Sequence, residues 1–167
     1  MKRRDFLGSF ALTTIGATLM SREAAAAGVF SPRAPENQGT KPAPLPTMTC
    51  YKSPSCGCCK DWVTYAQKSG FTVKTVDMDD LTQVKRDAGI PASLESCHTV
   101  LVGAYVLEGH VPADLVKKML TEKPAIIGLA VPGMVVGSPG MEQGSRKDPY
   151  SVIAFAKGGK TSVYARR

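Results

Sequence analysis

The sequence of 167 residues lacks the features that mark several large classes of protein. It has no internal repeat and only one hydrophobic run long enough to resemble a targeting segment, which excludes repeat arrays and bundles of membrane-spanning helices. Aromatic residues make up 7% of the chain, and the basic residues that give a net charge of +7 are scattered without aromatic residues between them. This pattern does not favour nucleic-acid binding. A composition of 43% hydrophobic and 21% charged residues is that of a globular protein and excludes disorder, collagen and coiled coil for the whole chain.

The N-terminal residues have the pattern of an export signal. Lys2, Arg3 and Arg4 are followed by an apolar stretch that is shorter than the ~20 residues of a membrane span, and then by small residues from Ala24 to Ala27. We therefore predict a twin-arginine signal peptide over residues 1–27, in preference to a membrane anchor. The mature protein is then periplasmic, with no membrane segment after cleavage. Five prolines between residues 28 and 46 predict an extended linker, and residues 47–167 form one domain.

The periodicity of residues 47–167 predicts an α/β fold. A short strand near residues 48–51 precedes a helix that begins near Gly57, in which Cys59, Trp62, Val63 and Ala66 recur with helical spacing. The remaining predicted elements are a strand at 71–76, a helix capped by Asp79 or Asp80, strands at 99–102 and 104–107, a helix opened by Pro112, and a hairpin of strands 151–155 and 161–164. The order βαβα followed by ββα is typical of a thioredoxin-like fold, with a central mixed sheet flanked by helices and a C-terminal β-hairpin.

Three of the five cysteines crowd together at the predicted start of the first helix, as Cys56, Cys58 and Cys59. The free N–H groups and the dipole at a helix N-terminus favour a thiolate over a thiol, which raises both nucleophilicity and metal affinity. An odd number of cysteines in an oxidising compartment also argues against a purely structural set of disulfides. Cys50 lies in the middle of a strand, and we interpret it as buried and inert.

Two chemistries remain open for these cysteines. Cys56 and Cys59 have the C-x-x-C spacing of thiol–disulfide enzymes, so disulfide exchange is one interpretation. The extra Cys58 favours metal binding, because thiolates can bridge several soft ions, and Cu(I) suits thiolate, thioether and imidazole ligands. A single structural zinc fits less well, since zinc ligand pairs are usually separated by two to four residues. A third interpretation is that two disulfides simply stabilise the domain.

The other soft ligands cluster in loops and at strand ends. Both histidines, His98 and His110, flank predicted strand ends, and His98 directly follows Cys97. Met134 and Met141 lie in a segment rich in glycine and proline, where methionine is less easily explained as core filling. The candidate ligands of a metal site are therefore Cys56, Cys58, Cys59, Cys97, His98, His110, Met134 and Met141. Trp62 is interpreted as a core or shielding residue.

Four ordered motifs carry a resemblance to a known family. They are Tyr51-Lys-Ser-Pro-Ser-Cys-Gly-Cys-Cys59, Ser96-Cys-His-Thr99, Glu108-Gly-His-Val-Pro112 and Gly137-Ser-Pro-Gly-Met-Glu142. With these motifs the sequence resembles the CopG-like copper-resistance proteins, long known only as a metal-binding domain of unknown function. The resemblance runs from about residue 47 to residue 142.

The resemblance implies a thioredoxin-like fold and a thiolate-bridged, multinuclear Cu(I) cluster on Cys56, Cys58, Cys59 and Cys97. It further implies periplasmic copper handling, with copper ions as ligands, other copper-handling proteins as partners, and redox cycling between copper and thiols. Two departures limit the transfer. Cys50 stands where the family usually has an aliphatic residue, and no proline precedes the Thr99 strand, where thioredoxins keep a cis proline. The missing proline argues against disulfide exchange.

Overall fold

The computed structural model describes residues 44–167. The predicted signal peptide at 1–27 and the predicted linker up to residue 43 lie outside this range. The described chain forms seven strands: β1 (Met48–Lys52), β2 (Val73–Asp77), β3 (His98–Val102), β4 (Tyr105–Glu108), β5 (Gly128–Ala130), β6 (Ser151–Phe155) and β7 (Thr161–Arg166). The three α-helices are α1 (Gly57–Lys68), α2 (Thr82–Asp87) and α3 (Ala113–Glu122). Within these residues, no helix combines the length and the apolar character that crossing a membrane requires.

All seven strands join one mixed sheet in the order β2-β1-β3-β4-β5-β6-β7. The pairs β1–β2 and β4–β5 are parallel, and the other neighbours are antiparallel. The prediction of an α/β fold with a central mixed sheet is confirmed, as is the C-terminal hairpin formed by β6 and β7. The observed order of elements is compatible with a thioredoxin-like fold.

The core lies on both faces of the sheet because alternate residues of a strand point to opposite sides. Leu107 packs with Trp62 of α1 and Met119 of α3 in the larger cluster. The adjacent Val106 packs instead with Phe155 in a smaller cluster that includes residues just after α2. The predicted core role of Trp62 is confirmed, since its side chain is fully buried and its indole N–H donates to the carbonyl of Val111 at 3.1 Å.

The register of the sheet brings four chain segments to one edge. Lys52, the last residue of β1, lies opposite His98, the first residue of β3. Thr99 lies opposite Glu108 at the end of β4, and Glu108 in turn pairs with Ala130 at the end of β5. The loops after β1, β4 and β5 and the residue before β3 therefore meet at this edge. Together with the first turn of α1, these segments carry four of the five cysteines, His110 and the two loop methionines, and His98 directly follows the last of these cysteines.

Two details differ from the sequence-based expectation. β5 was not predicted, because its three residues are all buried and show no alternation. Pro112 is the N-cap residue of α3 rather than its first helical residue. The expectation of an aspartate at the start of α2 is close to what is found: Leu81 is the N-cap residue, but the carboxylate of Asp80 accepts from the backbone N–H of Thr82 at 2.8 Å.

Candidate metal centre

Three of the four clustered cysteines, Cys56, Cys58 and Cys59, are positioned by the N-terminus of α1. Cys56 is the N-cap residue, with an extended backbone, and its sulfur accepts from the backbone N–H of Cys59 at 3.3 Å. Cys58 and Cys59 occupy the first turn, where free N–H groups stabilise negative charge on sulfur. The helix buries Cys59, Trp62, Val63 and Ala66 along one face, as their spacing predicts. The local fold therefore holds three sulfur atoms at one helix end.

The fourth sulfur comes from Cys97, the residue that precedes β3. The four Sγ atoms of Cys56, Cys58, Cys59 and Cys97 all lie within 4.8 Å of one another. The Cys58 sulfur lies 3.5 Å from that of Cys56 and 3.9 Å from that of Cys97. Cys56 and Cys59 are joined as a disulfide, whereas Cys58 and Cys97 are free. Reduction of the disulfide by two electrons and two protons gives four thiols close together.

Both histidines face the sulfur of Cys97. The Nε2 atom of His110 lies 3.1 Å from that sulfur, and the Nδ1 atom of His98 lies 3.3 Å from it. The other nitrogen of His110, Nδ1, is 2.8 Å from the carbonyl oxygen of Pro139, which can only accept a hydrogen bond. In a neutral ring the proton is therefore on Nδ1, and the Nε2 lone pair is directed at the cysteine.

Burial keeps the imidazole rings neutral. It lowers the pKa of His98 to about 3, with repulsion from a protonated His110 and from the Lys85 ammonium adding to the effect, and it also lowers the pKa of His110. Neutral imidazole is the form that binds metal ions. The Nε2 atom of His98 is buried without a hydrogen-bond partner among the described residues. Cys97, His98 and His110 thus form a second group whose ligand atoms lie within 4.8 Å of one another.

Burial changes the acidity of two cysteines outside the disulfide, Cys97 and Cys50. Burial raises the pKa of the Cys97 thiol to about 12, and the negative charge of a Cys58 thiolate adds to this effect. A bound cation would supply the charge that stabilises the Cys97 thiolate. Burial also raises the pKa of Cys50 to about 12, and this residue lies in mid-strand opposite Val100 and Thr75. The interpretation of Cys50 as buried and inert agrees with this environment.

The loop after β5 reaches the same edge of the sheet and carries the two methionines. Met134 is 61% exposed, and Met141 is partly buried in a turn in which its N–H donates to the carbonyl of Ser138. Their assignment as thioether ligands or as a lid stays a prediction. The loop contacts His110 through the carbonyl of Pro139, which fixes the imidazole ring.

Gly140 explains why this loop can lie so close to the cysteine helix. Its φ is +80°, and a Cβ atom at this position would be 2.6 Å from the backbone nitrogen of Trp62. Neither Pro139 nor Gly140 was assigned a role from the sequence. The Gly137-Ser-Pro-Gly-Met-Glu142 motif was the available signal, because two glycines around a proline indicate a fixed turn.

Comparison with known proteins identifies the family of the chain. Residues 94–141 match the model of a family described as "Protein of unknown function, DUF411". The comparison with curated proteins gave no match. Two solved structures, of the copper resistance protein copG in its form 1 and its form 2, are each 41% identical to the chain, with a TM-score of 0.70. The match covers 74% of this chain and 98% of each of those chains.

The chain belongs to the CopG-like copper-resistance family. The predicted membership is thus confirmed, and with it the α/β fold. The CopG-like chain brings four cysteine sulfurs and two imidazoles together at one sheet edge, in a group suited to soft metal ions.

Proposed function

We propose that this CopG-like protein binds copper as Cu(I), in a cluster bridged by the thiolates of Cys56, Cys58, Cys59 and Cys97. The observation that carries the proposal is the approach of all four sulfur atoms to within 4.8 Å of one another. Thiolates are soft ligands that favour Cu(I), and four of them offset the charge of several monovalent ions. Membership of a copper-resistance family supports copper over other soft metals.

The neighbouring side chains extend the proposed ligand set. His98 and His110 supply neutral nitrogens beside Cys97, and Met134 and Met141 are proposed as thioether ligands or as a lid from the adjoining loop. The protein would act in the periplasm after twin-arginine export, a proposal that rests on the sequence of residues 1–27. Its partners would be copper ions and other copper-handling proteins of that compartment.

Redox cycling is part of the proposal, and its stoichiometry follows from the disulfide. Oxidation of the Cys56 and Cys59 thiolates forms one S–S bond and releases two electrons. Two Cu(II) ions accept them and become two Cu(I) ions. Two external thiols, which together become one disulfide, would then return the Cys56–Cys59 disulfide to two thiols. The disulfide between Cys56 and Cys59 supports this cycle because these two sulfurs are close enough to bond.

An anaerobic titration tests the binding proposal. The reduced protein is expected to take up more than one Cu(I) per chain in competition with a chromophoric Cu(I) chelator. Cys58→Ser should lower this capacity, because the Cys58 sulfur lies within 4 Å of the sulfurs of both Cys56 and Cys97. Cys50→Ala is the matched control: it also removes a cysteine, but one buried in the core. An unchanged capacity in Cys58→Ser would contradict a bridging role for this sulfur.

A second function, thiol–disulfide exchange, is favoured by one observation, the disulfide between Cys56 and Cys59 at the start of α1. This function gives the opposite result with the same variant. Reduction of insulin disulfides would survive Cys58→Ser and be lost in Cys56→Ser or Cys59→Ser. The third interpretation, two structural disulfides, does not fit the structure: all five cysteines lie in the described residues, and they form one disulfide.

A further inference from the structure

Cys97 lies in a short segment without regular structure. A buried ion pair forms hydrogen bonds to this segment on both sides of the cysteine. Residues 95–97 lie between a 3-10 turn that ends at Leu94 and the start of β3 at His98. The carboxylate of Glu108, at the end of β4, is fully buried. It accepts from the backbone N–H of Ser96 at 2.5 Å and from the hydroxyl of Thr99 at 2.7 Å.

Lys85 reaches the same segment from helix α2. It is the buried residue of that helix, and its ammonium group forms an ion pair with Glu108. The ammonium also donates to the carbonyl of Ser96 at 3.0 Å and to the hydroxyl of Thr99 at 3.2 Å. Lys85 and Glu108 therefore form hydrogen bonds with the same two residues, Ser96 and Thr99, which flank Cys97 and His98 in the sequence.

Stability alone is a poor explanation for this arrangement. Moving two charges out of water carries a large desolvation penalty, and replacing a buried ion pair with apolar residues is often neutral or stabilising. The hydrogen bonds that the pair makes beyond itself go to Ser96 and Thr99. What the pair fixes is the path of the backbone through Cys97.

We propose that Lys85 and Glu108 are positioning residues of the copper site, which hold the Cys97 sulfur against Cys58 and the two imidazoles. This inference rests on the proposed function for its metal, but the geometry it explains exists without metal. The Cys97 sulfur is 3.9 Å from that of Cys58 and contacts both histidines. A change in the backbone at Ser96 would turn this sulfur away from all three groups.

The test uses paired substitutions, so that no single charge is left buried. The Lys85→Met/Glu108→Leu variant removes every hydrogen bond from the pair to the segment. It is expected to bind Cu(I) about 10- to 100-fold more weakly, the range found when partners of metal ligands are removed. It should also lose the luminescence of a bridged Cu(I)–thiolate cluster. Lys85→Met/Glu108→Gln keeps an amide oxygen that can accept from the N–H of Ser96, and it should recover part of both signals.

Met119→Ala is the control for lost stability. This residue is fully buried in α3, in the core, and removing its side chain leaves a cavity that destabilises the fold. It should lower the melting temperature without changing Cu(I) affinity or luminescence. If Met119→Ala weakens copper binding as much as the paired variants do, loss of stability explains the effect and the positioning role is wrong. The role is also wrong if both paired variants bind Cu(I) as the wild type does.

A metal-free measurement separates this inference from the proposed function. With the Cys56–Cys59 disulfide intact, diamide can oxidise Cys58 and Cys97: their two thiols become one disulfide, and the diazene bond of diamide becomes a hydrazine. Mass spectrometry gives the rate of this cross-link. The paired variants should form it up to about 100-fold more slowly, the loss expected for a displacement of about 1 Å. Slower cross-linking supports positioning even if the wild type binds no copper, and an unchanged rate in both paired variants overturns it.

Discussion

A Cys97→Ser variant is expected to lose the bridged copper cluster. Cys97 supplies the one sulfur that does not come from the head of α1, and it is the only cysteine of the group in contact with both histidines. A serine oxygen is a hard, protonated donor that does not bridge Cu(I) ions. Anaerobic titration with a competing chelator should therefore show a larger fall in Cu(I) capacity than for Cys58→Ser, together with loss of cluster luminescence.

Two comparisons make the Cys97→Ser result specific. His110→Ala removes the imidazole nearest to that sulfur but leaves all four thiols, so it should keep more of the capacity. Circular dichroism of the metal-free Cys97→Ser protein should match the wild type, because Cys97 is outside the core clusters. Retention of the full Cu(I) capacity without the Cys97 thiol would show that copper binds elsewhere.

Gly128→Ala is expected to prevent folding. Gly128 begins β5 and pairs with Val106 of β4, and an added Cβ would overlap the backbone oxygen of Val106 and lie 2.9 Å from the ring of Phe155. The backbone oxygen belongs to a strand that is paired on both sides, so it cannot move away without breaking the sheet. The loss of stability should exceed the ~4 kcal/mol of an exceptional point substitution, a large share of the ~5–15 kcal/mol that stabilises a domain.

Gly57→Ala is the matched control for this substitution. It makes the same chemical change at the start of α1, where the added Cβ meets nothing within 4 Å. Alanine is also the better helix former, so the stability should stay equal or rise by up to ~1 kcal/mol. Far-ultraviolet circular dichroism and thermal unfolding measure both variants. Gly128→Ala with the melting temperature of the wild type would mean that β4 and β5 lie further apart than the structure has them.

The sequence predicted those elements that are long enough for their hydrophobic pattern to repeat. Helix α1 could be predicted because its four buried residues follow the helical spacing, and the terminal hairpin because two alternating segments flank Gly158 and Gly159. Strand β5 was missed because three buried residues have no alternation that separates them from a loop. Its presence depends on β4 and β6, which are distant in sequence.

The candidate site was predictable to a similar extent. The crowding of Cys56, Cys58 and Cys59 is local and visible in the sequence, whereas the approach of Cys97 depends on the antiparallel register that places Lys52 opposite His98. The resemblance to the family implied that Cys97 lies near the other three cysteines, and the register of β1 and β3 is the physical cause. The ion pair of Lys85 and Glu108 could not be predicted, because a charge in a sequence does not show whether it is buried or what it binds. A lysine beside Val84 on the apolar side of a short helix was the available hint.

X-ray absorption at the copper edge tests the thiolate-bridged cluster most directly, on the reduced wild-type protein after anaerobic loading with Cu(I). The four sulfurs that converge at the head of α1 predict a nearest shell dominated by sulfur, and a short copper–copper distance that shows ions sharing thiolates. A nearest shell of nitrogen or oxygen, or a single copper ion with no second copper nearby, would contradict the thiolate-bridged cluster.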